Sequence, residues 1–408
     1  MKCRACGTAT GHLVVNLGSH PFSNAFLAPD QLHAMEPHYP LEVYICPECW
    51  LMQLDEYEPA GNIFNADYAY FSSYSDSWLE HCRRYTDLMV DRFGYGPQSF
   101  VVEVASNDGY LLQYFKARGI PVLGVEPAAN TAAVAAGKGI PTDVTFFDTA
   151  YAARLAAAGR RADLIIGNNV LAHNPHLNDF VEGMRVALKP GGTITMEFPH
   201  AVRLIQGNQF DTIYHEHFSY FTFHTVDRLF ATHGLTLFDV EELPTHGGSL
   251  RIYGRHAAEQ GRPVTDRAAG LLAREAAEGF QSLAVYRAFG RRVEATKHRL
   301  LEFLIDAKRA GKRIVGYGAP AKGNTLLNFC GIRTDFLDYT VDRNPHKQGR
   351  YLPGTRIPVK APEMIMADRP DYVLILPWNI RAEIMEQMCG IHAWGGRFVI
   401  PIPEVEVC

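Results

Sequence analysis

Several familiar signals are missing from this sequence of 408 residues. No apolar stretch approaches the length of a membrane span, and the first residues, MKCR, contain no apolar run for export. There is also no basic run, and the net charge is −5 with a pI ≈ 6.4, which argues against nucleic acid as a partner. A hydrophobic content of 47% with 20% charged residues predicts a globular, cytoplasmic enzyme, and the length predicts two or three domains.

Cysteine is scarce, and four of the eight cysteines form two Cys-x-x-Cys pairs. Cys3 pairs with Cys6 and Cys46 pairs with Cys49, so the two pairs supply the four thiolates of a closed tetrahedral zinc site. A reducing compartment favours metal binding over disulfides, although a redox dithiol, another metal or no metal are alternatives. We therefore predict a module with structural zinc over residues 1–75, with strands near residues 13–15 and 41–45.

Residues 76–260 show the alternation of strands and helices that is typical of a doubly wound nucleotide-binding domain. A buried strand over residues 99–105 leads into a turn that has one glycine where dinucleotide-binding turns have three. The ligand should therefore lack a pyrophosphate, and the cationic S-adenosylmethionine suits the acidic residues around this turn. The candidate residues for binding this cofactor are Glu103, Ala105, Asn107, Asp108, Gly109, Glu126, Pro127, Phe147, Asp148 and Asn168.

The segment YHEHFSYF, residues 214–221, concentrates imidazole, carboxylate and phenol groups. Several of these groups can take or give a proton, and such clusters mark functional sites more often than lone histidines do. The segment therefore favours proton removal followed by methyl transfer. The alternative is an aromatic strand with buried, hydrogen-bonded histidines.

Residues 261–408 are predicted to form a linker helix, over residues 265–311, and a second α/β unit. A strand then leads into a glycine loop, and backbone amides at the start of the next helix, with Lys322 beside them, can hold a phosphate. A structural turn is the alternative, because the loop departs from the dinucleotide fingerprint at its third glycine. Three residues at the ends of later strands are candidates for contact with a nucleotide or sugar, with ordinary strand-end residues as the alternative: Asp342, Trp378 and Asn379.

The motifs together resemble the class I S-adenosylmethionine-dependent methyltransferases that methylate carbon atoms of nucleotide-linked deoxysugars. They are the paired cysteines, EVASNDGYLL, GVEP, NNVLAH, YHEHFSYF, HGGSLR and GYGAPAKGNT. The resemblance covers nearly the whole chain, and YHEH with the late GYGAPAKGNT loop is its most specific part. It implies an α/β fold with a Rossmann-like methyltransferase domain between the zinc-binding module and a C-terminal Rossmann-like domain that helps to hold the sugar nucleotide.

The resemblance also implies a substrate and residue roles. The sugar, with dTDP as the expected carrier, bears a ketone at carbon 4 and receives its methyl group at carbon 3. His217 is the base, and the residues that share its pocket are Tyr214, Glu216, Tyr68, His173 and Asn169. The expected substrate-binding residues are Ser249, Arg251, Gly318, Lys322, Asn324 and Asp342.

Other activities remain open. An O- or N-methyltransferase acting on a sugar nucleotide would need no carbon acid, and other members of the family methylate different sugar carbons. A zinc protein that senses S-adenosylmethionine without catalysis is a further alternative, although the ionisable groups of YHEH argue against it. No long apolar surface segment calls for a partner, so we expect a monomer that binds neither nucleic acid nor membrane.

Overall fold

A computed structural model describes residues 1–59, 61 and 71–408 of the protein. The chain divides into two compact units, and each unit draws on three separate stretches of sequence. The first unit contains Met1–Thr10, Cys46–His200 and Phe218–Gln281, and the second contains Gly11–Ile45, Ala201–His217 and Ser282–Cys408. The sequence predicts three consecutive domains with boundaries near residues 75 and 260. The two units divide the chain differently, and those boundaries stay a prediction.

The described residues contain both strands and helices throughout. The strands are β1 His12–His20, β2 Tyr39–Ile45, β3 Met52–Leu54, β4 Val101–Val104, β5 Val122–Val125, β6 Thr142–Asp143, β7 Ala162–Asn168, β8 Leu188–Pro199, β9 Ser219–Tyr220, β10 Leu235–Leu243, β11 Ser249–His256, β12 Ile314–Tyr317, β13 Thr340–Val341, β14 Val359–Lys360, β15 Tyr372–Ile375, β16 Arg397–Ile400 and β17 Glu406–Val407. The α-helices are α1 Asp76–Phe93, α2 Leu112–Ala117, α3 Ala129–Gly137, α4 Thr149–Ala157, α5 Leu177–Ala187, α6 Ala201–Gln206, α7 Phe223–Thr232, α8 Asp266–Ala277, α9 Leu283–Arg309, α10 Ala321–Cys330, α11 Glu363–Asp368 and α12 Arg381–Gln387. Among these described helices, none has the length and apolar character that a membrane span requires.

The first unit is built around a sheet in which β6, β5, β4, β7 and β8 run parallel in that order. Strands β11 and β10 then extend the sheet in antiparallel pairing. The residues of β4 and β5 are all buried, as central strands covered on both faces should be, and Glu103 is the one charged side chain among them. The strand order reverses between β4 and β7, so the ends of these strands define the edge where open sheets bind ligands.

The second unit has its own mostly parallel sheet, with the order β14, β13, β12, β15, β16 and β17. Only the last pairing, between β16 and β17, is antiparallel. This is the strand order of two mononucleotide-binding halves, and it reverses between β12 and β15. The same unit contains the antiparallel pair β1 and β2, which lie where the sequence predicts strands.

The long helical stretch predicted over residues 265–311 is divided into α8 and α9. Gly279, just beyond the end of α8, has a φ of +83°, a left-handed conformation that ends helices and favours glycine. The Ser282 hydroxyl then accepts a hydrogen bond from the Ala284 N–H and caps α9. Gly290 lies inside α9, where a larger residue would not fit. A Cβ atom there would lie 2.4 Å from the Val14 carbonyl oxygen of β1.

Candidate active site and metal centre

The four paired cysteines meet at one point in the first unit. Their Sγ atoms all lie within 4.8 Å of one another, with 3.4 Å between Cys3 and Cys49 and 3.5 Å between Cys6 and Cys46. Four thiolates at about 2.3 Å from Zn²⁺ would have sulfur atoms roughly 3.8 Å apart, so this set fits the ion. Four cysteine ligands also leave no open coordination position, which is the pattern of a structural site.

The loop that follows β4 has an unusual backbone. Ala105, Asn107 and Gly109 all lie in the left-handed region, with φ values of 56°, 49° and 76°. For residues other than glycine this conformation is strained, and such strain clusters at ligand sites. A Cβ atom at Gly109 would also lie 2.4 Å from the end of the Ile140 side chain, which would have to move to make room. The loop is therefore built to approach a neighbour or a ligand closely.

Two buried carboxylates at this loop have oxygens without hydrogen-bond partners within the described residues. Neither carboxylate oxygen of Glu103 makes a hydrogen bond of standard geometry there, and one oxygen of Asp108 is likewise without a partner. Burial raises the pKa of Glu103, and the charges of Glu126 and Asp108 add to this, while the Tyr110 hydroxyl acts against it. The other oxygen of Asp108 lies 3.3 Å from the Lys138 ammonium. Buried carboxylate oxygens without partners fit a cationic ligand such as S-adenosylmethionine.

Glu126, predicted to hold the ribose of the cofactor, also organises the loop. Its two carboxylate oxygens accept hydrogen bonds from the backbone N–H of Asn107 at 2.9 Å and of Ala128 at 2.8 Å. Burial raises the pKa of this carboxyl group, and both backbone hydrogen bonds oppose the rise. Glu126 thus ties the loop after β4 to the end of β5.

The remaining predicted cofactor residues lie at neighbouring strand ends in the same unit. Pro127 follows β5, the buried Phe147 precedes α4, and Asn168 is the last residue of β7. Asp148 caps α4 by accepting a hydrogen bond from the Tyr151 N–H at 2.6 Å. Their contacts with the cofactor stay predictions.

The predicted substrate residues Ser249 and Arg251 have partners inside the first unit. Arg251 donates to the fully buried Glu197 at 2.9 Å, and His81 Nε2 lies 2.9 Å from the same carboxylate. Burial acts to raise the pKa of Glu197, but His81 and Arg251 together hold it below its usual value. The Ser249 hydroxyl donates to the Thr245 carbonyl at 3.0 Å. Binding of substrate by either residue stays a prediction.

Asn169 and His173 follow β7, and the structure brings Asn169 to a histidine that sequence reasoning missed. Asn169 Nδ2 lies 3.3 Å from His246 Nε2, and both residues have left-handed backbones, with φ values of 54° and 55°. The Trp78 ring is 5.5 Å from the His246 ring. His173, half-buried, ends the short turn Leu171–His173. The only sequence signal for His246 is its place in HGGSLR, and Tyr68 lies outside the described residues.

In the second unit, the structure assigns different environments to the two histidines of YHEH. His215 is buried, and its Nε2 lies 3.1 Å from the Pro40 carbonyl oxygen. Burial lowers the pKa of His215, with the carbonyl contacts opposing this. This histidine fits the alternative of a buried structural side chain, whereas His217 is half-buried.

The ring of His217 is oriented through both nitrogens. Nδ1 lies 3.1 Å from the Thr212 carbonyl oxygen, which can only accept, so Nδ1 carries the proton. Nε2 is then the basic nitrogen, and it lies 2.9 Å from the Tyr214 hydroxyl. The centres of the two rings are 4.1 Å apart. This arrangement places a proton on Nδ1 and leaves Nε2, beside the Tyr214 hydroxyl, as the nitrogen that a general base would use.

Glu216, between the two histidines, is almost fully buried. One of its carboxylate oxygens accepts a hydrogen bond from Asn24 Nδ2 at 2.8 Å. Burial raises the pKa of this carboxyl group, and the Asn24 bond opposes the rise. No sequence pattern indicates Asn24 as a partner of Glu216, because 192 residues separate the two.

The glycine loop lies at the switch point of the second sheet. Gly318, directly after β12, has a φ of +89°, and a Cβ atom there would lie 2.5 Å from the Pro377 ring. Lys322 in the first turn of α10 donates to Asn379 Oδ1 at 2.6 Å and lies 4.5 Å from the centre of the Trp378 ring. Burial lowers the pKa of Lys322. The loop and the ends of β12 and β15 therefore gather Lys322, Trp378 and Asn379 at the edge where doubly wound sheets bind nucleotides.

Two other predicted substrate residues make hydrogen bonds within the second unit. Asp342, after β13, accepts a hydrogen bond from the Ala319 N–H at 2.7 Å. The Asn324 side chain is buried and donates to the Ser23 carbonyl at 2.6 Å. Both side chains thus have partners in the protein, and substrate contact by either stays a prediction.

Asp211 is a buried acid that sequence reasoning missed. One carboxylate oxygen accepts a hydrogen bond from the Trp378 indole N–H at 2.7 Å, and the other has no hydrogen-bond partner within the described residues. Burial raises its pKa to about 6, although the Lys322 charge and the indole pull it down. A single aspartate in the turn Phe210–Thr212 carries no sequence signal that would distinguish it from a solvated turn residue.

Removing the charge of Asp211 should change how stability depends on pH. The pKa is raised from its usual 3.8 to about 6 in the folded protein, so this group's contribution to stability is complete below pH 4 and is lost as the pH rises through 6. The loss amounts to about 3 kcal/mol. Asp211→Asn keeps an acceptor for Trp378 but cannot ionise. As the pH is raised from 4.5 to 7.5, we expect its free energy of unfolding to increase relative to that of the wild type by about 2 kcal/mol. Urea denaturation at both pH values measures this, and identical pH dependence in the two proteins would contradict it.

Three family models match the chain in succession. A candidate zinc-binding domain matches residues 3–64, a methyltransferase domain matches residues 78–240, and a C-methyltransferase C-terminal domain matches residues 244–403. The C-methyltransferase NovU of Streptomyces niveus is 37% identical over 406 residues, which cover 100% of this chain and 96% of that protein.

Two solved structures show a more distant likeness. A SAM-dependent methyltransferase from Anabaena variabilis ATCC 29413 is 14% identical, with a TM-score of 0.37 over 44% of this chain and 86% of that one. Magnesium protoporphyrin IX methyltransferase from Synechocystis PCC 6803, with bound SAM, is 14% identical, with a TM-score of 0.33 over 44% of this chain and 81% of that one. These scores are too low to support a conclusion about this chain.

The doubly wound sheet, the acidic loop after β4 and the matched methyltransferase domain define an S-adenosylmethionine-dependent methyltransferase with a class I, Rossmann-like fold. The N-terminal cysteine cluster and its family match confirm the predicted zinc-binding module. Identity over the full length then places the chain more narrowly: it belongs to the family of C-methyltransferases that includes NovU. S-adenosylmethionine and zinc are its cofactors, as predicted.

Proposed function

We propose that the enzyme methylates carbon 3 of a dTDP-linked 4-keto-deoxysugar. The observation that carries this proposal is the fixed tautomer of His217, whose Nδ1 faces the Thr212 carbonyl and whose basic Nε2 lies beside Tyr214. A sugar carbon is a poor nucleophile until it loses a proton, and a neighbouring ketone lets the resulting charge spread onto oxygen as an enolate. A neutral imidazole is a suitable base for that step near pH 7. Bound S-adenosylmethionine supplies the electrophilic methyl group.

Each residue of the segment has a distinct proposed role. His217 Nε2 takes the proton from carbon 3, while the Nδ1 contact with Thr212 keeps the ring in place and stabilises the imidazolium that forms. The Tyr214 hydroxyl is the first candidate donor to the enolate oxygen, and one well-placed donor contributes about 3 kcal/mol. Glu216, whose pKa is raised by burial, binds a sugar hydroxyl. Tyr68 and His173 are further candidate donors to the enolate oxygen, and a role for Asn169 remains part of the proposal.

The second unit provides a suitable place for the diphosphate of the substrate. Lys322 is pre-positioned by Asn379 and by the Trp378 ring, so little conformational freedom is lost when it meets an anion. Backbone N–H groups at the start of α10 lie at the same end of the helix, and no side chain in the described part of the chain caps them. The Gly318 turn packs closely against the Pro377 ring, which holds the glycine loop beside the end of β15. We take the protein to act as a monomer in the cytoplasm on this small-molecule substrate.

Isotope labelling tests the proposed function directly. The wild-type enzyme is incubated with S-adenosylmethionine and dTDP-linked 4-keto-deoxysugars that carry deuterium at carbon 3 or, in a matched substrate, at carbon 5. We expect a product heavier by one methylene group, with deuterium lost from carbon 3 and kept at carbon 5. Deuterium lost only from carbon 5 would move the methylated position to the other carbon beside the ketone. If the methylated product keeps its deuterium with each of the two substrates, the carbon-acid mechanism would be overturned in favour of O- or N-methylation.

A further inference from the structure

The N-terminal half of α10 makes two side-chain hydrogen bonds to distant parts of the second unit. The Thr325 hydroxyl donates to the Ile213 carbonyl at 2.9 Å, and Thr325 is fully buried. Its neighbour Asn324 donates through Nδ2 to the Ser23 carbonyl at 2.6 Å. Two adjacent side chains of one helix therefore hold two loops that are far apart in the sequence.

The Thr325 bond acts on the residues that orient His217. The Ile213 carbonyl that it holds directly follows the Thr212 peptide, and the Thr212 carbonyl faces His217 Nδ1 at 3.1 Å. Only the φ and ψ of Ile213 separate the two carbonyl groups, and Ile213 is fully buried, so a fixed Ile213 carbonyl restricts the movement of the Thr212 carbonyl. Thr325 thus limits the movement of the acceptor that selects the His217 tautomer.

The Asn324 bond acts in the same way on Glu216. Ser23, whose carbonyl it holds, is followed by Asn24, and the Asn24 side chain donates to the Glu216 carboxylate at 2.8 Å. Asn324, Thr325 and Ser23 are buried, so water competes weakly for their two hydrogen bonds, whereas Asn24 is exposed and donates to the buried Glu216 from the surface. One helical turn therefore fixes the partners of both His217 and Glu216.

We propose that Thr325 and Asn324 are positioning residues for the proton-abstracting segment, and that they act through Ile213 and Ser23 rather than on the substrate. For Asn324 this replaces the predicted role as a substrate ligand. The inference rests on the proposed function, because it assigns His217 the proton transfer. It also means that the helix carrying Lys322 orients the base, so the anion-binding residue and the proton-abstracting residue are held by one rigid element.

The test compares Thr325→Val with Thr325→Ser. Valine has nearly the same shape but no hydroxyl, whereas serine keeps the donor. The measurement is the rate at which deuterium from heavy water enters carbon 3 of the keto-sugar substrate, together with kcat and KM. We expect Thr325→Val to lose about tenfold in exchange rate and in kcat with KM nearly unchanged, and Thr325→Ser to recover most of that loss.

A third variant separates positioning from simple loss of stability. Thr86 is also a fully buried helical threonine, and its hydroxyl donates to the Cys82 carbonyl at 3.0 Å in the first unit. Thr86→Val should lower the thermal midpoint by as much as Thr325→Val while leaving the exchange rate within twofold of the wild type. Wild-type exchange in Thr325→Val, or equal losses in the valine and serine variants, would overturn the positioning role. Absence of exchange and of C-methylation in the wild type would instead overturn the proposed function itself.

Discussion

His217→Asn is expected to lower kcat by about 10³-fold while the enzyme still binds the methyl donor and the sugar nucleotide. The asparagine amide can still donate to the Thr212 carbonyl, as His217 Nδ1 does, so the loop should keep its conformation. It has no nitrogen that can take a proton, and the carbon acid then depends on water. Steady-state kinetics measure kcat, and calorimetric titration measures the binding of the methyl donor and of the sugar nucleotide.

The neighbouring histidine is the matched control for this variant. His215→Asn removes an imidazole two positions away that is buried against the Pro40 carbonyl. We expect it to lower the thermal midpoint by several degrees and to leave kcat within about tenfold of the wild type, because a buried polar contact is lost rather than a base. If His217→Asn retained turnover within tenfold of the wild type, or if His215→Asn caused the larger loss, His217 would not be the base.

The chemistry of the site could be predicted where it depends on residue types that are close in the sequence. Two Cys-x-x-Cys pairs predict one four-cysteine cluster, and the structure shows their Sγ atoms together. The acidic strand and turn around Asp108 predict a site for a cationic cofactor, and buried carboxylate oxygens are found there. In both cases a short backbone segment sets the geometry, so little tertiary information is needed.

Other parts of the site depend on contacts that no local pattern reports. Asp211 meets Trp378 across 167 residues, and Thr325 meets the Ile213 carbonyl across 112 residues. The two histidines of YHEH cannot be told apart by residue type, and they differ in burial and in hydrogen-bond partners, which are properties of the completed fold. For the same reason, the inclusion of Gly11–Ile45 and Ala201–His217 in the second unit could not be read from hydrophobic periodicity.

Removing one thiolate from the cysteine cluster should unfold the zinc-binding module. Structural zinc sites bind with about 10–16 kcal/mol, which equals or exceeds the net stability of most domains. The module also supports α7, because the Thr225 hydroxyl donates to the Cys49 carbonyl at 3.1 Å. We therefore expect Cys49→Ser to purify without zinc, to be cleaved rapidly by protease and to lose nearly all activity. Elemental analysis gives the zinc content per chain, and limited proteolysis reports the unfolding.

The control for this variant is Cys389→Ser, because Cys389 is exposed and lies outside the four-cysteine cluster. It should keep one zinc ion per chain and wild-type turnover. Exchange of zinc for cadmium then separates a structural from a catalytic ion. Since four thiolates leave no position for water or substrate, cadmium should support the same fold and a kcat within about twofold of the zinc protein. A strong dependence of kcat on the metal, or full zinc content in Cys49→Ser, would show that the ion is held or used in another way.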